Sequence, residues 1–430
     1  MDIKLAYDRD GLDIHLPLNG EYLEVVEPKY VDGLPDQAAA LRDALQNPIA
    51  GPALRDAVGT DETVGIIFSD ITRPCPNHLL LPAILQELED VPNERIILFN
   101  ALGTHRPNTP EELRGMLGND PRGGGKIADA YRIVDNNSFD RETQTKVGTT
   151  SRNNDVWINS ELVNCGFKLL TGFIEPHFFA GFSGGGKAVM PGMAGQDTIL
   201  SNHGSENIDS LNSTFGVTSG NPIWEEVHEA AAMVDPSFIL NVSLNAHKEI
   251  TGVFAGTWME AYLAGTEFVK ERAMAPVDDA FDIVITSNSG YPLDLNLYQA
   301  VKGMEAAAKI IRPGGTILIA ASCWDGIPDH GLFGKILRES ESPAAALAQI
   351  RAPGFASMDQ WNVHVQVLIQ ERADIHVYSD NLSDEQIKGC HLIPCRDIEA
   401  TVTQLLSKYG ADARICVLPE GPQTIPYIPE

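Results

Sequence analysis

The chain has 430 residues, 43% of them hydrophobic, and sets 31 Lys and Arg against 59 Asp and Glu for a formal net charge of −28 at pH 7. That length accommodates two domains with large cores. A surface this acidic repels phosphate backbones and anionic membranes, so neither nucleic acid nor a membrane surface is expected as a partner. An anionic small-molecule substrate would need the few basic residues gathered in one place.

The opening segment, MDIKLAYDRDG, is charged and lacks the apolar stretch of a secretory signal. No apolar run approaches the ~18–20 residues of a membrane span. Of six cysteines, the closest pair, Cys390 and Cys395, matches neither a redox CxxC nor a zinc knuckle. The expectation is a cytoplasmic, reduced protein without structural zinc.

In chain order, buried apolar runs predict strands at 63–68 and 95–101 around a helix over 79–88, and a further strand at 168–174. A long amphipathic helix over 258–274 is expected to close a first domain, residues 1–274, with Ala275–Asp279 as linker. A second stretch, 280–430, reads as Rossmann-like: strand 281–288, helix 298–311, strand 316–320, then strand 374–379, helix 397–409 and strand 415–418. Arg312-Pro313-Gly314-Gly315 reads as a helix stop, and the last ~15 residues are expected to pack back on the first domain. Apolar strands alternating with helices imply an α/β fold of mainly parallel sheets flanked by helices, with the active site in the cleft between two domains.

In parallel sheets, ligands bind beyond the carboxyl ends of the strands. Four clusters fall there: Ser69–Pro74, Gly103–Arg106, Glu175–His177 and Ser289–Lys302. Together they describe one mouth lined by His, Arg and Lys in an acidic protein. Taken singly, Arg73 also fits a surface turn before Pro74, Lys187 a solvated loop cation, and the Tyr298–Lys302 pair a solvated helix rim. Gly181-Phe182-Ser183-Gly184-Gly185-Gly186-Lys187-Ala188 has phosphate-loop spacing up to the lysine, but Ala188 stands where a hydroxyl would hold magnesium. A glycine run can equally let a large planar ligand approach the backbone beside a lysine. Among eleven histidines, His105, His177 and His203 occupy glycine-rich or post-strand positions, where imidazole can exchange protons or ligate a metal.

The set SDITRP, GTHRP, EPHFFAGFSGGGKAVMPGMAG, SNH and YQAVKG resembles the LarA-type lactate racemases that carry a nickel-pincer nucleotide, and the likeness extends over nearly the whole chain. It implies an isomerase acting on lactate or a similar short-chain 2-hydroxy acid. The implied route is proton-coupled hydride transfer through a 2-keto acid. The implied cofactor is pyridinium-3-thioamide-5-thiocarboxylic acid mononucleotide nickel, covalently attached to Lys187 and supplied by cofactor-biosynthesis proteins. His203 would ligate the nickel, and His105 and His177 would be the acid/base pair. Asp70, Thr72, Arg73 and the run Gly184, Gly185, Gly186 would surround the cofactor and its phosphate. Tyr298, Gln299, Lys302 and Trp361 would line the substrate side, with Lys302 or Arg73 countering the carboxylate. Two histidines suit an enzyme that accepts both enantiomers, because each approach needs its own base. Alternative readings are a racemase or epimerase of malate-like, aromatic or sugar acids, a P-loop-like phosphotransferase, and a non-catalytic cofactor carrier.

Overall fold

The computed structural model describes residues 1–16, 22–29, 31–59, 61–328 and 331–429. In chain order the strands of its two large sheets are β1 (Leu23–Val25), β2 (Val64–Ser69), β3 (Ile96–Ala101), β4 (Arg132–Asp135), β5 (Phe167–Phe173), β6 (Phe238–Leu244), β7 (Ile250–Gly256), β8 (Phe281–Ser287), β9 (Ile311–Ala320), β10 (Ala373–Tyr378), β11 (Ile393–Cys395) and β12 (Ile415–Leu418). One six-stranded sheet runs β7-β6-β5-β2-β3-β4 and is parallel except for the β6–β7 hairpin. The other runs β11-β10-β9-β8-β12-β1 and is parallel throughout. Helices flank both sheets, as the unbroken apolar strands require. Every residue of β5 and of β8 is buried, which is possible only where both faces of the sheet are covered.

The helices used below are α1 (Asn77–Glu87), α2 (Gln196–Asn202), α3 (Ser205–Ile208), α4 (Pro222–Ala232), α5 (Trp258–Ala273), α6 (Leu297–Ala308), α7 (Pro343–Ile350), α8 (Gln360–Gln370) and α9 (Ile398–Tyr409). Caps set several of their starts. The Asn296 side chain accepts from the Gln299 amide at 3.1 Å to open α6, and Asp397 accepts from the Ala400 amide at 2.9 Å to open α9.

Three expectations are corrected. Residues 1–16 and 22–25 do not belong with the first sheet: β1 pairs with β12, and Leu5, Ile14, Leu16 and Leu23 share a core with Ile283, Leu318 and Ile415. The backbone of β1 takes up the edge that β12 would otherwise present, and the apolar side chains pack beside it. The segment expected as a linker begins with a strand, Met274–Pro276, that pairs in parallel with Ile425–Tyr427 from the chain end. The Arg312–Gly315 stretch is not a helix stop. α6 already ends at Ala308, and the buried Ile311 joins β9 by pairing with Phe281, with a register shift before Ile283. All six cysteines are free thiols. Among the described residues no helix is long and apolar enough to cross a membrane.

Candidate active site

β2, β3 and β5 are parallel neighbours, so their carboxyl ends release their loops on one side of the sheet. The loop after β2 carries Asp70, Thr72 and Arg73; the loop after β3 carries His105. The ring nitrogen Nδ1 of His105 lies 2.6 Å from Asp70 Oδ2. The other carboxylate oxygen accepts from the Thr72 amide at 2.9 Å and from the Thr72 hydroxyl. Arg73 in turn donates to the Thr72 hydroxyl at 2.9 Å. Burial works against ionisation of Asp70. The adjoining His105 ring and Arg73 outweigh it and hold the carboxyl down at about 2. Asp70 is therefore a carboxylate that accepts the Nδ1 proton and leaves Nε2 as the free basic atom of His105.

After β5 the chain makes a short hairpin, Pro176–His177 against Gly181–Phe182, then the tight 3-10 turn Gly185–Ala188 that carries Lys187. Only glycine fits this turn. Gly184 and Gly185 have φ +77 and +56, and a Cβ would meet the Asn241 side chain at 2.6 Å on the first and the Tyr262 ring at 2.7 Å on the second. Asn241, from β6, accepts the Gly185 amide at 2.9 Å and pins the turn. Lys187 Nζ then stands 3.4 Å from His177 Nε2, while His177 Nδ1 accepts from the Ala180 amide at 3.3 Å. His203 caps the carboxyl end of α2, edge-on to Phe179 at 5.0 Å and to Trp361 at 5.1 Å between ring centres.

The opposite wall comes from the second sheet's helices. Tyr298, Gln299 and Lys302 lie on the first turns of α6, and Trp361 on α8. Trp361 Nε1 donates to the Tyr298 hydroxyl at 2.8 Å, and Asn362 Nδ2 donates to the Tyr298 carbonyl at 2.7 Å. A cavity of about 150 Å3 between the two walls is lined by Asp70, Arg73, His105, His177, Gly184, Lys187, His203, Tyr298, Gln299, Lys302 and Trp361.

Charge in this cavity is unbalanced. Burial, then Arg73 and Lys302, brings Lys187 down to about 7, with Glu175 opposing; burial and Arg73 bring Lys302 to about 8. Burial followed by the neighbouring Lys187 charge lowers His203 to about 3, and burial with three nearby cations pushes His177 well below the ordinary histidine value. At pH 7 both rings are neutral and about half of Lys187 is the free amine, the nucleophilic form.

Most residues singled out in the sequence meet in this cavity. Thr72 stands behind it, holding Asp70 and Arg73, and Gly185 and Gly186 are buried in the turn that presents Lys187. Both oxygens of Asp70 are engaged by His105 and Thr72. The P-loop reading fails on architecture. Gly181 and Phe182 form the short hairpin strand, and a single 3-10 turn follows where a phosphate loop would open a helix. Sequence reasoning missed Phe179, which packs against both His177 and His203. It also missed Asn241; a polar residue inside the apolar run of β6 was the available signal.

A model of the lactate racemase N-terminal domain matches residues 7–216, and one of the C-terminal domain matches 277–425. The lactate racemase of Lactiplantibacillus plantarum is 36% identical over 381 residues, 88% of each chain. That of Thermoanaerobacterium thermosaccharolyticum is 35% identical over 388 residues, 90% of this chain and 89% of that one. The solved lactate racemase apoprotein from T. thermosaccharolyticum superposes with a TM-score of 0.91 at 33% identity, covering 99% of this chain and 100% of the other. A Thermotoga maritima protein shares the fold, with a TM-score of 0.71 at 18% identity over 93% of this chain and all of its own. With the two-sheet architecture and its cleft, these likenesses define an α/β enzyme of the isomerase class. The chain belongs to the lactate racemase family.

Proposed function

We propose that the protein racemises lactate or a similar short-chain 2-hydroxy acid, using a nickel-pincer nucleotide joined covalently to Lys187. The observation that carries this reading is one cavity holding a half-buried lysine amine brought down to about 7, a neutral His203 and two further histidines. The residues suit such a group. His203 lines the cavity with its Nδ1 buried and unpartnered. Among the described residues no three His, Cys, Asp or Glu side chains cluster as a metal site. A metal here would have to arrive with most of its ligands already attached, as in a pincer. Lys187 would supply the amide nitrogen, His203 the protein ligand, and Arg73 with the Gly184–Gly186 turn the contacts to the nucleotide.

When bound, the cofactor would supply acceptance and return of hydride at the substrate C2. The chain's own residues do the rest. Lys302 and Arg73 hold the carboxylate; a bound anion would also relieve the repulsion that lowers Lys302. Nε2 of His105 takes or returns the hydroxyl proton on one approach, with Nδ1 fixed by Asp70. His177 faces the other approach. With Nδ1 accepting from the Ala180 amide at 3.3 Å its neutral ring carries the proton on Nε2, so taking a proton there requires the other tautomer, with the proton on Nδ1 and that long contact given up. The aromatic wall of Phe178, Phe179 and Trp361 excludes water from the keto form. Arg73 and Lys302 suffice for a single carboxylate, which favours a monoacid over a malate-like diacid.

The test is expression together with cofactor-building proteins, then intact mass, nickel content and chiral chromatography of L-lactate incubations. The expected result is an adduct on Lys187, about one nickel per chain and conversion toward the racemate, all lost in Lys187→Ala. A matured wild-type chain with neither adduct nor turnover overturns the reading.

A further inference from the structure

We propose that Asp209 is a positioning residue that ties α3 to α8 and thereby sets Trp361 against His203. Its catalytic consequence rests on the function proposed above. Asp209 ends the four-residue helix α3, six residues after His203, and so belongs to the wall that carries that histidine. Its carboxylate reaches across to the other wall. Oδ1 and Oδ2 accept from Arg351 Nη2 and Nε at 2.7 and 2.9 Å, and Oδ1 lies 3.0 Å from His364 Nε2.

Arg351 caps the carboxyl end of α7, and His364 lies on α8 three residues after Trp361. Residues three apart share a helix face, so one face of α8 makes two contacts with the 203–209 segment: Trp361 on His203 at the end of α2, and His364 on Asp209 at the end of α3. The His364 side chain is 1% exposed, while that of Arg351 is 44% exposed. An exposed ion pair contributes little. A hydrogen bond to a buried ring leaves an unsatisfied donor if lost, and so restrains more. The bond between His364 and Oδ1 is therefore the restraint that matters, and it acts on the helix bearing Trp361. Neither Arg73 nor Lys302 bonds to that helix directly, and the bonds from Trp361 and Asn362 to Tyr298 that join it to the helix of Lys302 are not the ones removed, so carboxylate binding should be spared.

The test uses the full chain in two forms. In the cofactor-free chain, Asp209→Ala should speed amide exchange in 360–370 at least about fivefold and leave Val64–Ser69 unchanged. Asp209→Asn, which keeps Oδ1, should stay near wild type. In the matured enzyme, Asp209→Ala should lower kcat about tenfold with KM within about twofold, and Asp209→Asn should restore most of it. Arg351→Ala, at an exposed position, should give a small change in both readouts and keeps the test open if Asp209→Ala does not fold. Unaltered exchange in 360–370, an effect of Arg351→Ala as large as that of Asp209→Ala, or a rise in KM at constant kcat overturns the proposal. A change in exchange alongside an inactive wild-type enzyme would instead leave the tie standing and remove the racemase reading.

Discussion

His105 and His177 face one cavity from unlike surroundings. His105 sits on an open loop with its ring 26% exposed and held at 2.6 Å by a buried carboxylate. His177 sits in a short hairpin between aromatic neighbours, has no carboxylate partner among the described residues, and has a lysine amine at 3.4 Å. One ring is oriented by an anion and the other is kept neutral by burial and nearby cations. A site that must serve both enantiomers therefore need not be built symmetrically. The two anchors set opposite tautomers: the carboxylate holds the proton on Nδ1 of His105 and leaves Nε2 with its lone pair, whereas the amide that donates to Nδ1 of His177 leaves the proton on Nε2.

The comparison breaks most directly if either ring is dispensable. His105→Ala and His177→Ala in the matured enzyme should each lower kcat by about 10²–10⁴-fold while nickel content stays near wild type. Retained turnover in either variant would make the remaining histidine sufficient.

The lysine beside His177 sharpens the contrast next. A lysine lowered from 10.5 to about 7 has, at pH 7, a neutral fraction about a thousandfold above that of a solvated lysine. In the cofactor-free chain, Lys187 should be acylated by dilute acetic anhydride at least about tenfold faster than surface lysines. Its rate should rise through pH 7 and level off above it, read by peptide mass spectrometry. A rate still climbing at pH 10 would place a charged amine beside His177.

Asp70→Asn removes the anchor on the other side. It should lower kcat by about 10–100-fold and flatten the acid limb of stability. The sign follows from a depressed carboxyl: its contribution is complete above the unfolded value near 3.8 and is lost as pH falls through about 2. That contribution is about 2 kcal/mol, so wild type should lose stability between pH 4 and pH 2 that the variant never had. Urea melts at pH 2.5 and 5 measure it. The smallest effect is expected for Tyr298→Phe, which strips Trp361 Nε1 of its acceptor. It should cost about 1–3 kcal/mol of stability, visible as a lowered Tm, with kcat within about fivefold of wild type.

The sequence by itself determined the α/β class, seven of the twelve strands of the two sheets, and the residue types at the site. Strands such as Phe281–Ser287 and Ile415–Leu418 were legible because a strand covered on both faces must be apolar along its length. The spaced histidines and Lys187 were legible because their motifs are contiguous. Only the tertiary structure decided the rest. It placed Leu23–Val25 in the far sheet, since a three-residue strand has too few residues to show a period. It turned Asp70 onto His105, 35 residues away, and Asp209 onto His364, 155 residues away. Local pattern records which face of an element is buried; which side chain of another element meets it depends on how the two sheets and their helices close on one another.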